Sequence, residues 1–145
     1  MIVRGTWKLL YRQTGPSSIG KAKWKSVNAG KPNGPNFSIL GSLSDKDKDP
    51  KNGKYTFKLV YPQSTEANAY NIWKQSSNPV KDAKVTGYQE VDVNMKCNRW
   101  GGLEKSTSGA LADGSVNHGN WCVDCSKQPP VSTNQHFCLC SVSGN

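Results

Sequence analysis

The sequence predicts an all-β protein, an antiparallel β-sandwich of jelly-roll-like, loop-rich architecture. Several short segments alternate apolar and polar residues with the period of two that is typical of a half-buried strand. Turn-forming residues separate these segments, and the chain contains 14 glycines and 8 prolines. No amphipathic stretch of about ten residues or more indicates a helix. Short strands joined by turns favour a sandwich over a helical or mixed fold.

Two segments show the strand pattern best. Residues 7–13 place Trp7, Leu9 and Tyr11 on one face of a predicted strand. Residues 55–61 give the clearest alternation, with aromatic and aliphatic side chains at every second position. The core is therefore expected to be rich in aromatic side chains, because each of them buries a large apolar area.

The weaker elements follow from shorter patterns. Residues 69–75 and 85–93 predict strands, the second interrupted by Gly87. Residues 36–40 fit either a strand or one helical turn, and the pattern does not separate the two. Residues 45–53 alternate in charge and end in Asn-Gly, which predicts an exposed loop with a tight turn.

Residues 1–145 are expected to form a single domain with a cysteine-rich C-terminal tail from about residue 122. Five cysteines leave one over after two disulfides, and that thiol offers one route to a homodimer. Their spacing also permits a four-thiolate zinc site, although disulfides or free thiols are favoured because the last gap is one residue. The cysteines are Cys97, Cys122, Cys125, Cys138 and Cys140.

The formal net charge of +9 favours anionic partners. The basic residues are scattered, without the block of like charges that marks a nucleic-acid-binding tail, so nucleic acid is not expected as a partner. No apolar run reaches the roughly 18 residues that a membrane-spanning helix requires, so membrane insertion is not expected. The first residues lack the apolar stretch of a signal peptide, which is consistent with a soluble protein or with the mature form of a secreted one.

No pattern in the sequence predicts a metal site, a cofactor or catalysis. Asp45, Asp47 and Asp49 have the spacing that begins a calcium loop, but Pro50 stands where the loop needs Gly. An exposed loop is the better interpretation. The sequence has no nucleophile elbow and no zinc-protease motif, so we expect a protein that is not an enzyme.

The strongest candidate for a binding site combines tryptophans with glycines and hydrogen-bonding side chains. An aromatic ring stacks on the apolar face of a sugar, while carboxylate, amide and imidazole groups bond its hydroxyls. The same residues are also common in cores and tight turns. The candidate contacts are Trp100, Glu104, Asp113, Asn117, His118 and Trp121, with Trp73, Gln75 and Asn78 as a second group.

Several stretches of the chain together resemble a small extracellular domain of marine invertebrate proteins that includes the OXYL-like lectins. The resemblance covers about the first 121 residues and ends where the cysteine-rich segment begins. It implies a secreted protein that binds galactose or N-acetyllactosamine glycans without chemical turnover. The stretches are residues 7–14 (WKLLYRQT), 72–80 (IWKQSSNPV), 100–104 (WGGLE) and 111–121 (LADGSVNHGNW).

A structural module of an extracellular matrix is the alternative. In that case the tryptophans and glycines build core and turns, and the positive charge holds acidic polymers. Salt distinguishes the two hypotheses, because counterions compete with charge-driven binding far more than with the binding of a neutral sugar.

Overall fold

The computed structural model describes residues 6–13, 25–34, 36–60, 70–94, 100–105, 111–113 and 135–141. These residues form β-strands in antiparallel sheets, together with two short 3₁₀ helices and no α-helix. The prediction of an all-β protein is confirmed. The strands are β1 (Thr6–Gln13), β2 (Phe37–Ser38), β3 (Tyr55–Val60), β4 (Tyr70–Gln75), β5 (Gln89–Val93), β6 (Leu103–Lys105), β7 (Leu111–Asp113) and β8 (Gln135–Ser141).

Six strands form one sheet in the order β2-β1-β8-β3-β4-β5, and β6 pairs with β7 in a separate two-stranded sheet. Strand β8 lies between β1 and β3 although it is the last strand in the sequence. The segment expected to be a tail therefore contributes an interior strand. Cys138 pairs with Leu9 on one side and with Lys58 on the other.

The core covers one face of the six-stranded sheet, which we call the inner face. Tyr55, Phe57 and Leu59 alternate along β3 and are almost completely buried. From β4, Trp73 joins them, and Leu103 of β6 covers them from above the sheet. Rings stack within this layer, with the centroids of Tyr55 and Phe57 5.2 Å apart. The alternation read from residues 55–61 is confirmed over the described part of that segment.

Strand β1 departs from the expected alternation. Leu9 pairs with Cys138 and Tyr11 pairs with Phe137, so a bulge places Leu10 between two adjacent partners. Such a bulge moves the following side chains to the opposite face. Tyr11 is buried with the core, whereas Trp7 and Leu9 are only half-buried. The prediction that Trp7, Leu9 and Tyr11 share one face is wrong for Tyr11.

Residues 36–40 were predicted to form either a strand or one helical turn, and the structure contains part of each. Phe37 and Ser38 form β2, and the chain then turns through a 3₁₀ helix at Leu40–Ser42. The predicted strand at residues 85–93 begins only at Gln89.

The acidic loop forms a second 3₁₀ helix, Asp45–Asp47. A capping box closes its start, because the Ser44 hydroxyl accepts from the Lys46 backbone and the Asp47 carboxylate accepts from the Ser44 backbone. The loop ends at Gly53, whose φ of 68° confirms the predicted tight turn. Two of the three aspartates thus bond backbone N–H groups, since Asp49 accepts from Lys51.

Candidate functional site

The first group of predicted contacts does not form an open pocket in the described part of the chain. Trp100 is 7% exposed and Glu104 is 3% exposed. Asp113 ends β7 opposite Leu103, and the structure describes only its backbone. Asn117, His118 and Trp121 lie outside the described residues, so their part in binding stays a prediction.

In the second group, Trp73 and Gln75 also belong to the core. Neither side chain has measurable exposure, so Trp73 offers no ring face for stacking on a sugar. The Trp73 ring instead packs edge-on against Trp100, with centroids 4.9 Å apart. The structure thus corrects the expectation that these two indoles face a ligand. Their geometry is that of an aromatic core pair.

The Gln75 side chain joins the inner face of the sheet to β6. Its Oε1 accepts from Trp73 Nε1 at 2.7 Å and from the Leu103 backbone N–H at 3.0 Å. Its Nε2 donates to the Leu103 carbonyl at 2.9 Å and to both oxygens of Ser77. We call these contacts the Gln75 network. A buried amide with this many partners fixes the position of the segments that it joins.

Glu104 extends the attachment of β6. Its Oε2 accepts from the Val85 backbone N–H at 3.0 Å, and the Lys105 backbone N–H donates to the Asp82 carbonyl at 3.0 Å. Segments 77–86 and 102–105 are therefore held together by side-chain and backbone bonds. The predicted contact residues Gln75 and Glu104 position this region rather than face solvent.

Asn78 is the one member of the second group that lines an open cavity in the described structure. A cleft of about 450 Å³ lies between residues 44–48 and residues 78–82. We call it the polar cleft. Its lining consists of Ser44, Asp45, Lys46, Lys48, Asn78, Lys81 and Asp82.

The floor of the polar cleft is fixed by hydrogen bonds of Asn78. Its Nδ2 donates to the Leu43 carbonyl at 3.2 Å and approaches the Tyr55 hydroxyl at 3.5 Å. Its Oδ1 accepts from the Val80 N–H at 2.9 Å, and its backbone N–H donates to Asp82 Oδ2 at 2.8 Å. Asn78 therefore joins residues 78–82 to Leu43 and to Tyr55 of β3, which fixes the floor of the cavity.

The walls of the polar cleft present charges of both signs. Asp45 and Lys46 are exposed on one segment, and Lys81 and Asp82 are exposed on the other. Asp45 also pairs with Lys48 at 3.2 Å, although Asp45 itself remains largely exposed to water. Carboxylates accept and ammonium groups donate, so the lining complements hydroxyl groups, which do both.

The Tyr55 hydroxyl lies beneath this cleft and stays protonated. Burial raises its pKa to about 12, and the neighbouring carboxylates of Asp45, Asp47 and Asp82 add to the effect. The Lys48 ammonium lies 5.3 Å from the centroid of the Tyr55 ring. The phenol thus acts as a neutral hydrogen-bonding group of the floor.

Sequence reasoning missed most of this cleft. It singled out Asn78 and, separately, the acidic loop, but Asn78 and Asp45 are 33 positions apart in the sequence. Local patterns do not show that two such loops meet, since this depends on the packing of both against Tyr55 and Leu43. The sequence around Lys81 and Asp82 indicates only a turn and does not predict a binding site.

The described residues contain no group of three or more His, Cys, Asp or Glu side chains arranged to hold a metal ion. They also contain no helix long and apolar enough to cross a membrane. The zinc hypothesis for the cysteines depends on Cys122 and Cys125, which lie outside the description.

Tyr88 gives a pH-dependence prediction. Its hydroxyl is buried without a hydrogen-bond partner in the described structure, and burial, with Glu90 nearby, raises its pKa to about 12. As the pH rises, the unfolded chain therefore loses the Tyr88 proton before the folded chain does. The contribution of this pKa difference to the free energy of unfolding is complete below about pH 10 and is lost as the pH rises toward 12. We expect Tyr88→Phe to match or exceed the parent in stability at pH 8 and to lose less stability than the parent as the pH rises to 11.

Urea denaturation of both proteins at pH 8 and pH 11 measures this difference. Other tyrosines and the lysines titrate equally in the two proteins and cancel. An identical loss of stability in both proteins at pH 11 would contradict the assignment.

Comparison of the whole chain with protein-family models, with curated proteins and with solved structures gives no significant match. Proposals about function therefore depend on the geometry of the polar cleft and on the sequence patterns described above.

Proposed function

We propose that this protein is a secreted, non-catalytic carbohydrate-binding protein and that the polar cleft is one of its binding sites. The observation that carries the proposal is an open cavity of about 450 Å³ whose described lining residues all carry polar or charged groups, with polar and apolar atoms contributing about equally to its surface. That volume lies within the range of about 300–1000 Å³ found for sites of small ligands. Galactose and N-acetyllactosamine glycans are the proposed ligands on the basis of the sequence resemblance.

The lining favours a ligand with many hydroxyl groups. Asp45 and Asp82 supply carboxylate acceptors, and Lys46 and Lys81 supply donors, in one cavity. Sugar hydroxyls can bond to both kinds of group at once. The hydrogen bonds of Asn78 hold the floor in place before a ligand arrives, which lowers the entropy cost of binding.

Aromatic stacking is not part of the described cleft. Tyr55 lies beneath it with no measurable exposure, and the residues that line it carry no ring. Stacking by Trp121 stays a separate prediction. Recognition at this site accordingly depends on hydrogen bonds.

A sandwich architecture belongs to the same proposal. In the hairpin of β6 and β7, Leu103 is attached to the inner face of the six-stranded sheet through Gln75. In a sandwich, this hairpin would be part of the second layer. The proposed domain of residues 1–145 would then include β8 as an interior strand.

The test is a glycan array that includes galactose and N-acetyllactosamine ligands, followed by titration calorimetry on any ligand that binds. We expect Asp45→Ala and Lys81→Ala each to weaken binding about tenfold, because each removes a charged hydrogen-bonding group. Lys51→Ala is the matched control, since Lys51 is an exposed lysine in a turn outside the cleft. Binding should persist at high ionic strength.

The alternative is an adhesive matrix module that holds acidic polymers. Three lysines and two aspartates line the cleft, and this excess of positive charge favours the binding of acidic polymers. Under this alternative no neutral glycan gives a saturable signal, and binding to polyanions falls steeply with salt. That pair of results would remove the proposal for the polar cleft.

A further inference from the structure

The face of the six-stranded sheet that points away from the core carries a row of aromatic and basic side chains. We call it the outer face. Lys58 of β3 lies there because Tyr55, Phe57 and Leu59 occupy the inner face. The Lys58 ammonium lies 5.5 Å from the centroid of the Trp7 ring and 5.3 Å from that of the Tyr70 ring.

The strand register explains why these three side chains meet. Trp7 pairs with Cys140 and Lys58 pairs with Cys138, two positions apart on β8, so both lie on one face. Tyr70 pairs with Val60, two positions beyond Lys58 on the same face of β3. All three side chains are half-buried, so the ammonium is held in place but still borders solvent.

The Tyr70 ring is itself held in place. Its hydroxyl donates to Asp92 Oδ2 at 2.6 Å, and this bond raises the pKa of Tyr70. Asp92 also accepts from Asn94 through its other oxygen, at 3.3 Å. The Asp92 carboxylate is thus engaged with Tyr70 of β4 and with Asn94, which follows β5, rather than with Lys58 or Lys74.

Two further lysines extend the positive charge. Lys74 pairs with Thr56, and Lys54 bonds the side chain of Gln89, which pairs with Lys74. Strand geometry then places the Cα atom of Lys74 roughly 8 Å from that of Lys54 and roughly 8 Å from that of Lys58, on the neighbouring strand. A single extended polyanion could contact all three.

We propose that the outer face is a second binding site, centred on Lys58, for an acidic polysaccharide that carries sulfate or carboxylate groups. Two aromatic rings pre-orient Lys58, which reduces the side-chain entropy lost on binding. The faces that Trp7 and Tyr70 turn toward Lys58 are occupied by its ammonium. A ligand therefore meets a cation rather than a stacking platform, which favours an acidic glycan over a neutral sugar or an unstacked base.

The test measures binding of a defined heparin oligosaccharide at several salt concentrations. We expect Lys58→Met to weaken binding about tenfold and to lower the slope of log affinity against log salt by about one. Methionine keeps the contacts with Trp7 and Tyr70 through its thioether, so the fold should be preserved. Lys58→Arg should retain binding because it keeps the charge.

Lys51→Met is the control, because it makes the same change in net charge at an exposed turn. Equal losses in Lys58→Met and Lys51→Met would overturn the proposal, since they would indicate diffuse attraction. Single-stranded DNA of equal charge that binds as tightly, with the same dependence on Lys58, would overturn the assignment to a glycan. Binding of N-acetyllactosamine should not respond to Lys58→Met, so failure at one site leaves the other testable.

Discussion

Gln75→Leu is expected to lower the free energy of unfolding by about 3–5 kcal/mol. The substitution keeps a side chain of similar size but removes the acceptor for Trp73 Nε1 and for the Leu103 N–H, and the donor for the Leu103 carbonyl. Each buried polar group left without a partner costs about 1–3 kcal/mol. Gln75 has no measurable exposure, so the Gln75 network gains little compensation from water.

Urea denaturation followed by tryptophan fluorescence measures this loss. Gln89→Leu is the control, because Gln89 is exposed and its side chain accepts a hydrogen bond from Lys54 at the surface. We expect that variant to stay within about 0.5 kcal/mol of the parent. A loss below 1 kcal/mol for Gln75→Leu would show that β6 is held in place without this amide.

The strands that the sequence predicts best are those whose alternation is set by burial on one face. Tyr55, Phe57 and Leu59 face the core, and the polar residues between them do not, so the period of two was readable. Strand β1 was predicted, but its bulge was not. A bulge depends on which partner residues face Leu9 and Tyr11, and β8 lies more than 120 positions away in the sequence.

Strand β8 itself was missed for a related reason. Cys138 and Cys140 drew attention to cysteine chemistry, and a strand of seven residues between two others depends on long-range pairing. The short strands β6 and β7 were likewise read as parts of a sugar site. Three residues carry too little pattern to predict a strand.

The candidate site was predicted only in part. Residue chemistry singled out Trp73, Gln75, Trp100 and Glu104 as unusual, and the structure shows that they support the region from within the core. The same sequence pattern of glutamine and tryptophan occurs in open pockets and in buried hydrogen-bond networks. What distinguishes them is the partner of each polar atom, such as the Leu103 carbonyl, 28 positions away from Gln75.

Gly102→Ala is expected to cost about 2–4 kcal/mol of stability, because the glycine fits a place where the backbone passes against the Gln75 network. Its φ of 91° is a conformation that residues with a Cβ rarely adopt. A Cβ at this position would lie 2.7 Å from Gln75 Oε1 and 3.2 Å from Trp73 Nε1. Both atoms belong to one hydrogen bond, so neither moves without weakening it.

Urea denaturation again provides the measurement, and Gly30→Ala is the matched control. A Cβ at Gly30 would meet no atom within 4 Å, so that variant should be neutral or slightly stabilised. The steric part of the cost also predicts coupling: in the double variant Gly102→Ala with Gln75→Ala, the shorter side chain removes the clash. The combined loss should then fall below the sum of the two single losses by about 1 kcal/mol or more. Strict additivity would mean that backbone strain and the contacts with Trp73 and Val85, and not contact with the buried amide, require glycine here.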